Sequence, residues 1–375
     1  MASSSVALHQ QILAKASPDP QTESLLLQNL PAEIRYEIFS YALTDYPDPD
    51  PDKAYGASTL YTRPSYLAPR KSDTALLQTC RAIYLECWFL PFILREQVHW
   101  VVGHPKRAPP GYQLQEQRRK LAASLRTIRA QQQRQFEIER LHVFAQMFMI
   151  EEGHFYDLLA TPELRPRVIT LTIRHADWWF WEDDEPLRFE GDWIKRVSEA
   201  LQPSVGEIRI ELESLERKKS QVDEIARQMK DKWSFRRTDG ETLFAAESAV
   251  SRWRGTSRWD HQRWIRDETS EGVIDYYIVT VVFRPDAFLE RRQLEVSATA
   301  REYAERGKLV EGHELKLHNP EWSRISTGTA FINESQPESE PESEPESEFE
   351  SEPEEQSAPR SGGWFDRLRL GRIIR

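Results

Sequence analysis

Four short runs, Gln97–Val102, Ile138–Phe144, Val168–Arg174 and Glu207–Leu212, carry the apolar alternation of strands, and helical patterns fill the gaps between them. The clearest of these are Gln113–Gln133, with Leu121, Leu125 and Ile128 on one side, and Leu215–Trp233, with Val222, Ile225, Met229 and Trp233 at helical spacing. His154–Ala160 and Asp192–Leu201 are shorter helical patterns. Strands separated by helix-length gaps favour an α/β fold with a mainly parallel sheet and helical crossovers. A short, irregular leucine-rich-repeat-like arrangement is one form of it, although no strict repeat is visible. The competing expectation is an α+β fold with a mixed sheet, because the later strands lack crossovers of regular length. Among those, Ile274–Arg284 (IDYYIVTVVFR) is the strongest strand signal in the chain. Thr242–Ala245 is a short strand, and Leu294–Val296 either pairs with Ile274–Arg284 or opens a polar helix through Arg306. Order declines beyond Leu317, which bounds the α/β body at about residues 96–320.

Before this body, residues 24–95 read as helical. In Leu25–Leu43, Pro31 suits an opening turn, where its missing N–H costs nothing, and Ile34, Ile38, Tyr41 and Ala42 recur at helical spacing. In Asp73–Phe89, Leu76, Leu77, Cys80, Ile83, Tyr84 and Cys87 form a broad apolar face, with Asp73 as N-cap. The insertion between them, residues 44–72, is rich in proline, which forbids a regular element. Its tyrosines Tyr46, Tyr55, Tyr61 and Tyr66 are candidates to anchor it as an ordered loop.

The pairing of LPAEIRYEIF with LLQTCRAIYLEC resembles the F-box-like opening of a group of fungal proteins, whose pattern is LPxEIR followed by LLxTCRxIYxE. The matching residues are Leu30, Pro31, Glu33, Ile34 and Arg35, then Leu76, Leu77, Thr79, Cys80, Arg81, Ile83, Tyr84 and Glu86. RLHVFAQMF and LTIRHADWWFWEDDEPL also look like this group. The resemblance implies a short helical module docking on the Skp1 adaptor of a ubiquitin ligase, with Leu30, Pro31, Ile34 and Leu76 as docking candidates. The long insertion departs from the F-box pattern at the point where its two helices should be close in sequence.

The net charge of −11 is unevenly placed. Glu334–Glu355 holds 11 glutamates and no base, and the following residues through Arg375 are basic, so the first 333 residues are close to neutral. No large basic field points to nucleic acid. The two cysteines, Cys80 and Cys87, are no disulfide framework and read as core thiols. The N-terminal residues 1–23 are polar and expected to be disordered, with a short helix over Val6–Ala16. No apolar h-region opens the chain and no run of 18 apolar residues follows, so no membrane segment is expected and an intracellular location is.

Candidate sites are few. His175–Glu185 (HADWWFWEDDE) follows a strand's C-terminal end, where open α/β sheets bind ligands. There Trp178, Trp179 and Trp181 supply an aromatic surface, and Glu182, Asp183, Asp184 and Glu185 an acidic rim, suited to a Lys- or Arg-bearing peptide. The alternative is that the tryptophans cover the sheet edge and the acids cap the next helix. SRWRGTSRWDHQRW interleaves Trp253, Trp259 and Trp264 with arginines and reads as packing or a protein contact. The chain contains no nucleophile elbow, phosphate loop, dinucleotide fingerprint or zinc-protease helix, so no catalytic residue, cofactor or metal ligand is assigned.

In Glu334–Ser357, Ser335, Ser339, Ser343, Ser347 and Ser351 recur every four residues with Glu three positions on. That spacing makes the segment an acidic disordered linker open to phosphorylation. Residues 358–375, with Trp364, Phe365 and four interspersed arginines from Arg367 on, form a basic-hydrophobic docking tail. The expected function is a non-enzymatic interaction adaptor, in one version the substrate receptor of a Skp1-containing ubiquitin ligase. Its rivals are a structural domain with an F-box-like fold and no Skp1 binding, and an enzyme with an unfamiliar site.

Overall fold

The computed structural model describes residues 8–14, 17–259, 261–306 and 329–333. The acidic linker with its five serines, the basic-hydrophobic tail and the end of the α/β body lie outside the described residues, as do residues 1–7. Among the described residues, one sheet contains seven strands: β1 (Gln97–Val101), β2 (Ile138–Ala145), β3 (Pro166–Ile173), β4 (Glu207–Leu215), β5 (Ser234–Arg236), β6 (Thr242–Thr256) and β7 (Val273–Pro285). Their spatial order is β1-β2-β3-β4-β7-β6-β5. Strands β1 to β4 run parallel, and β7 is antiparallel to both β4 and β6. The fold is therefore mixed α/β, with N-terminal helices against a curled, partly parallel and partly antiparallel sheet.

The mainly parallel expectation needs correction from β5 onward. Residues 237–241 turn tightly between β5 and β6, with Gly240 at φ 92°, and so short a connection can only return the chain antiparallel. Strand β6 is also far longer than Thr242–Ala245. Its outer half is mostly exposed and lacks an apolar period, but it pairs residue for residue with β7 through Thr256↔Val273.

Pleating divides the sheet into two unlike faces. Leu141, Val143, Ala145, Ile169, Leu171, Ile173, Ile208, Ile210 and Leu212 pack with Leu121, Leu125 and Ile128 of helix Leu114–Gln132 and Val222 and Ile225 of helix Lys219–Lys232 in the main core. Full burial of each such side chain stabilises by about 1.5–3 kcal/mol. The opposite face presents Trp100 and Phe144, stacked 4.2 Å apart, and the insertion covers them with Tyr61 and Tyr66. Tyr66 lies 5.5 Å from Trp100, and Tyr55 contacts Tyr61 and Tyr66 at 5.2 and 5.4 Å; Tyr46 stays exposed. The insertion is not wholly irregular, because Asp45–Pro47 pairs antiparallel with Arg70–Ser72. Buried Asp45 clamps that ribbon, accepting from Arg70 at 2.6 Å and from the Glu96 N–H at 3.2 Å.

The N-terminal helices break where the backbone requires it. Leu25–Asn29 and Ala32–Leu43 are separate, with Pro31, which lacks an N–H, as the N-cap of the second. The expected single helix over 73–89 becomes a 3₁₀ turn, Ala75–Gln78, then helix Arg81–Cys87 after an extended Cys80 (φ −155°, ψ 160°). Asp73 caps the turn, not the helix, accepting from the Ala75 N–H at 2.8 Å. Arg35 joins the two halves, with its Nε 2.9 and 3.2 Å from the Glu86 carboxylate and its Nη1 donating to the Leu30 carbonyl at 2.5 Å. No helix among the described residues is long and apolar enough to cross a membrane.

Candidate functional site

The loops after β1, β3 and β4 meet residues 257–272, between β6 and β7, at the C-terminal edge of the parallel strands, and a cluster of buried charge gathers there. After β3, Arg174 and Asp177 form a sealed pair (2.5 and 3.0 Å), and the Arg174 Nη1 donates to the Leu60 carbonyl of the insertion at 2.8 Å. Arg107, from the loop after β1, reaches Asp177 at 3.3 Å. Asp267 is gripped by Arg217 at 2.6 Å and Arg266 at 3.1 Å, with His175 Nε2 3.7 Å away. Burial alone would raise the Asp267 carboxyl, but His175, Arg266 and Arg217 hold it well below the usual carboxylate range. Asp184 is likewise lowered, against its burial, by Arg217 and Lys218, each 2.8 Å away. Charges paired in this way lock the loops together.

This network decides the fate of the Trp-rich segment. Trp178 and Trp181 are buried, so they are no open aromatic surface. Trp178 donates its Nε1–H to the Glu213 carbonyl at 2.7 Å, and Trp181 packs on Trp264 at 4.4 Å. Trp179 is half-buried and donates to Glu151 at 2.8 Å, leaving Phe180 as the exposed ring. Of the acidic rim, Asp183 is exposed and Asp184 is spent on its cations. Hydrophobic transfer outweighs the display of three indoles beside so much apolar sheet edge. The arginines interleaved with Trp253, Trp259 and Trp264 are also engaged: Arg252 with Glu216, Arg254 with Asp275, Arg263 with Glu268.

Two hollows remain at this edge. One, of about 270 Å³, is lined by Arg63, Arg174, His175, Glu213, Trp253 and Tyr276. Within it Trp253 stacks on Tyr276 at 4.3 Å and donates to Glu213 at 2.9 Å. Gly255 is required beside that stack, because a Cβ there would meet the Trp253 ring at 2.6 Å. The other hollow, of about 660 Å³, lies between the insertion, the loop 105–112 and residues 258–262. Glu96, His142 and Thr172 line up elsewhere (3.5 and 2.9 Å), but Thr172 is fully buried and donates its proton to Glu211 at 2.6 Å. Among the described residues no group of three or more His, Cys, Asp or Glu side chains is placed to hold a metal ion.

Away from this edge, helix Ala32–Leu43 turns its apolar stripe outward. Ile34, Ile38 and Tyr41 are 48%, 42% and 81% exposed, while Phe39 and Leu43 face the core at 0%. Exposed Glu33 and Glu37 flank the stripe. Of the residues expected at a docking face, Pro31 and Ile34 are exposed; Leu30 is half-buried, and Leu76 packs against the main core. Helical periodicity groups Ile34, Ile38 and Tyr41 on one face but does not say whether that face is covered. Arg63 and Glu213, buried and paired at 3.1 Å, gave no sequence signal because they lie in unrelated elements.

No family model matches the chain, and no curated protein or solved structure matches it.

Proposed function

We propose that the protein is a non-catalytic interaction module that docks a protein partner on the outer face of helix Ala32–Leu43. The observation that carries this reading is the continuous stripe Ile34, Ile38 and Tyr41, left uncovered on a helix that anchors itself to the core through Phe39 and Leu43. Large apolar side chains aligned on one exposed helix face mark an interaction surface more often than chance exposure does. Glu33 and Glu37 beside the stripe favour a partner groove with a basic rim. The closed charge network and the paired tryptophans behind it then serve as scaffold.

A narrower form makes that partner a Skp1-type adaptor. It rests on the resemblance of LPAEIR and LLQTCRAIYLE to an F-box-like opening, in which Arg35 and Glu86 hold the two halves together. Against it, Leu76 is taken up by the protein's own core, which favours an F-box-like opening used for packing without that adaptor. Titrating the full chain with recombinant Skp1 separates the two. A Kd below about 50 μM, or about −6 kcal/mol, that Ile34→Glu weakens at least about tenfold supports the adaptor form. Weaker binding overturns it. The broader reading is tested by a photo-crosslinking residue at position 38 of the full chain in cells. A defined adduct that Tyr41→Lys abolishes supports the docking face, and the absence of any adduct overturns it.

A further inference from the structure

We propose that the 660 Å³ hollow is a docking groove for the first part, Glu334–Glu346, of the chain's own acidic, proline-spaced segment Glu334–Ser357. This is independent of the partner bound by helix Ala32–Leu43. Its walls combine two chemistries. Tyr61, Tyr112 and Trp259 with Pro105 and Pro110 give an aromatic, ring-lined surface, and Lys106, Arg258 and His261 give a cationic rim. Trp259 is 7% exposed, and its indole Nε1 has no hydrogen-bond partner among the described residues.

Aromatic-lined grooves recognise extended proline-containing chains, because the polyproline conformation is preformed and leaves carbonyls facing outward. Cations beside such a groove add a preference for acidic flanks. Glu334–Ser357 has both features, with Pro337, Pro341 and Pro345 separated by Glu-Ser-Glu triplets. Position is the stronger argument. Residues Ile332–Asn333 pair antiparallel with Gln262–Arg263, and Gln262 itself lines the groove. Phe331 fixes this return by packing on Trp264 at 5.0 Å. The chain is thus delivered to the groove's edge one residue before the acidic segment begins. Pro337 follows four residues on, within about 14 Å of extended backbone. A segment tethered so close has an effective concentration on the order of millimolar, enough to fill a site of modest affinity. Phosphorylation of Ser335 or Ser339 would add about −1.5 to −2 charges each and tighten the contact.

The test is cleavage of the full chain by a Glu-specific endoprotease, with each cut site followed by mass spectrometry. Glu352–Glu355 serves as the reference in the same molecule. At low salt, cleavage after Glu338–Glu344 should be slower than at the reference by about five-fold or more, and about 0.5 M NaCl should bring the rates together. The variant Lys106→Glu/Arg258→Glu, at two exposed rim positions, should do the same while its melting temperature stays within about 2 °C of the parent. A free peptide spanning residues 334–350 should displace the tethered segment and restore cleavage. Equal rates at all sites in low salt would overturn the proposal. So would protection that survives the rim variant, or protection that grows with protein concentration and so comes from a second copy.

Discussion

Arg63, in the proline-rich insertion, holds its Nη2 3.1 Å from the Glu213 carboxylate of β4, with the side chains 5% and 4% exposed. An insertion that buries a charge against the centre of the sheet is part of the fold. Arg63→Met leaves Glu213 buried without its cation and should lower stability by about 3–5 kcal/mol in urea denaturation. Adding Glu213→Gln should recover most of that loss, since glutamine still accepts the Trp253 N–H. A loss below about 1 kcal/mol for the single variant would reduce the pair to the worth of a surface contact.

The outer face of helix Ala32–Leu43 should tolerate charge. Ile34→Glu is expected to change stability by less than about 0.5 kcal/mol. Phe39→Ala, one helix face away and fully buried, should cost about 3–5 kcal/mol. Parallel chemical denaturation of the two variants measures the difference, and similar losses would mean that Ile34 is covered in solution.

His99 should give the protein an acid limb. Burial, with a smaller contribution from Arg118, pushes its imidazole down to about 4, against about 6.5 in the unfolded chain. The Tyr112 hydroxyl accepts from the Trp100 N–H at 2.9 Å and donates to His99 Nδ1 at 3.1 Å, so protonation would remove the acceptor it needs. Between these values the unfolded state binds more protons. The stability contribution is therefore full above about pH 7 and is lost as pH falls from about 6.5 to 4, up to about 3 kcal/mol. His99→Gln should flatten that limb in a series of urea melts at stepped pH. Asp267, lowered when folded, adds a second loss at lower pH, below about 4, which His99→Gln leaves in place.

Gly255→Ala should disturb the aromatic stack without touching the helices. Its Cβ would approach Trp253 to 2.6 Å and Tyr276 to 2.8 Å, so the indole has to shift, at a cost of about 1–3 kcal/mol. Near-ultraviolet circular dichroism should change while the far-ultraviolet spectrum does not.

The parallel half of the sheet was legible in the sequence because one face of its strands is buried in strict alternation and the strands are separated by helices with their own apolar stripes. The antiparallel half was legible at β7 and at the start of β6, Thr242–Ala245. The outer part of β6, from Glu247 on, has little apolar alternation to detect because pairing with β7, not burial, holds it in place. Helix Ala32–Leu43 shows the limit of periodicity from the other side. The stripe Ile34, Ile38, Tyr41 was visible, but a stripe does not say which way it faces. Phe39, Leu43 and the Arg35–Glu86 pair settle that through contacts distant in sequence. The tryptophans of His175–Glu185 were conspicuous for their chemistry, yet their burial depended on a sheet edge assembled from four other segments.

Strand β7 is the last of the sheet to be synthesised, yet it lies inside it, between β4 and β6. Until residue 285 has left the ribosome, the nascent chain holds two separate pieces, each with an unpaired edge where the other must join. Neither can complete its hydrogen bonds alone, and exposed edges of this kind invite pairing with other chains. A message truncated before β7 would therefore yield a chain prone to aggregation rather than a smaller working domain.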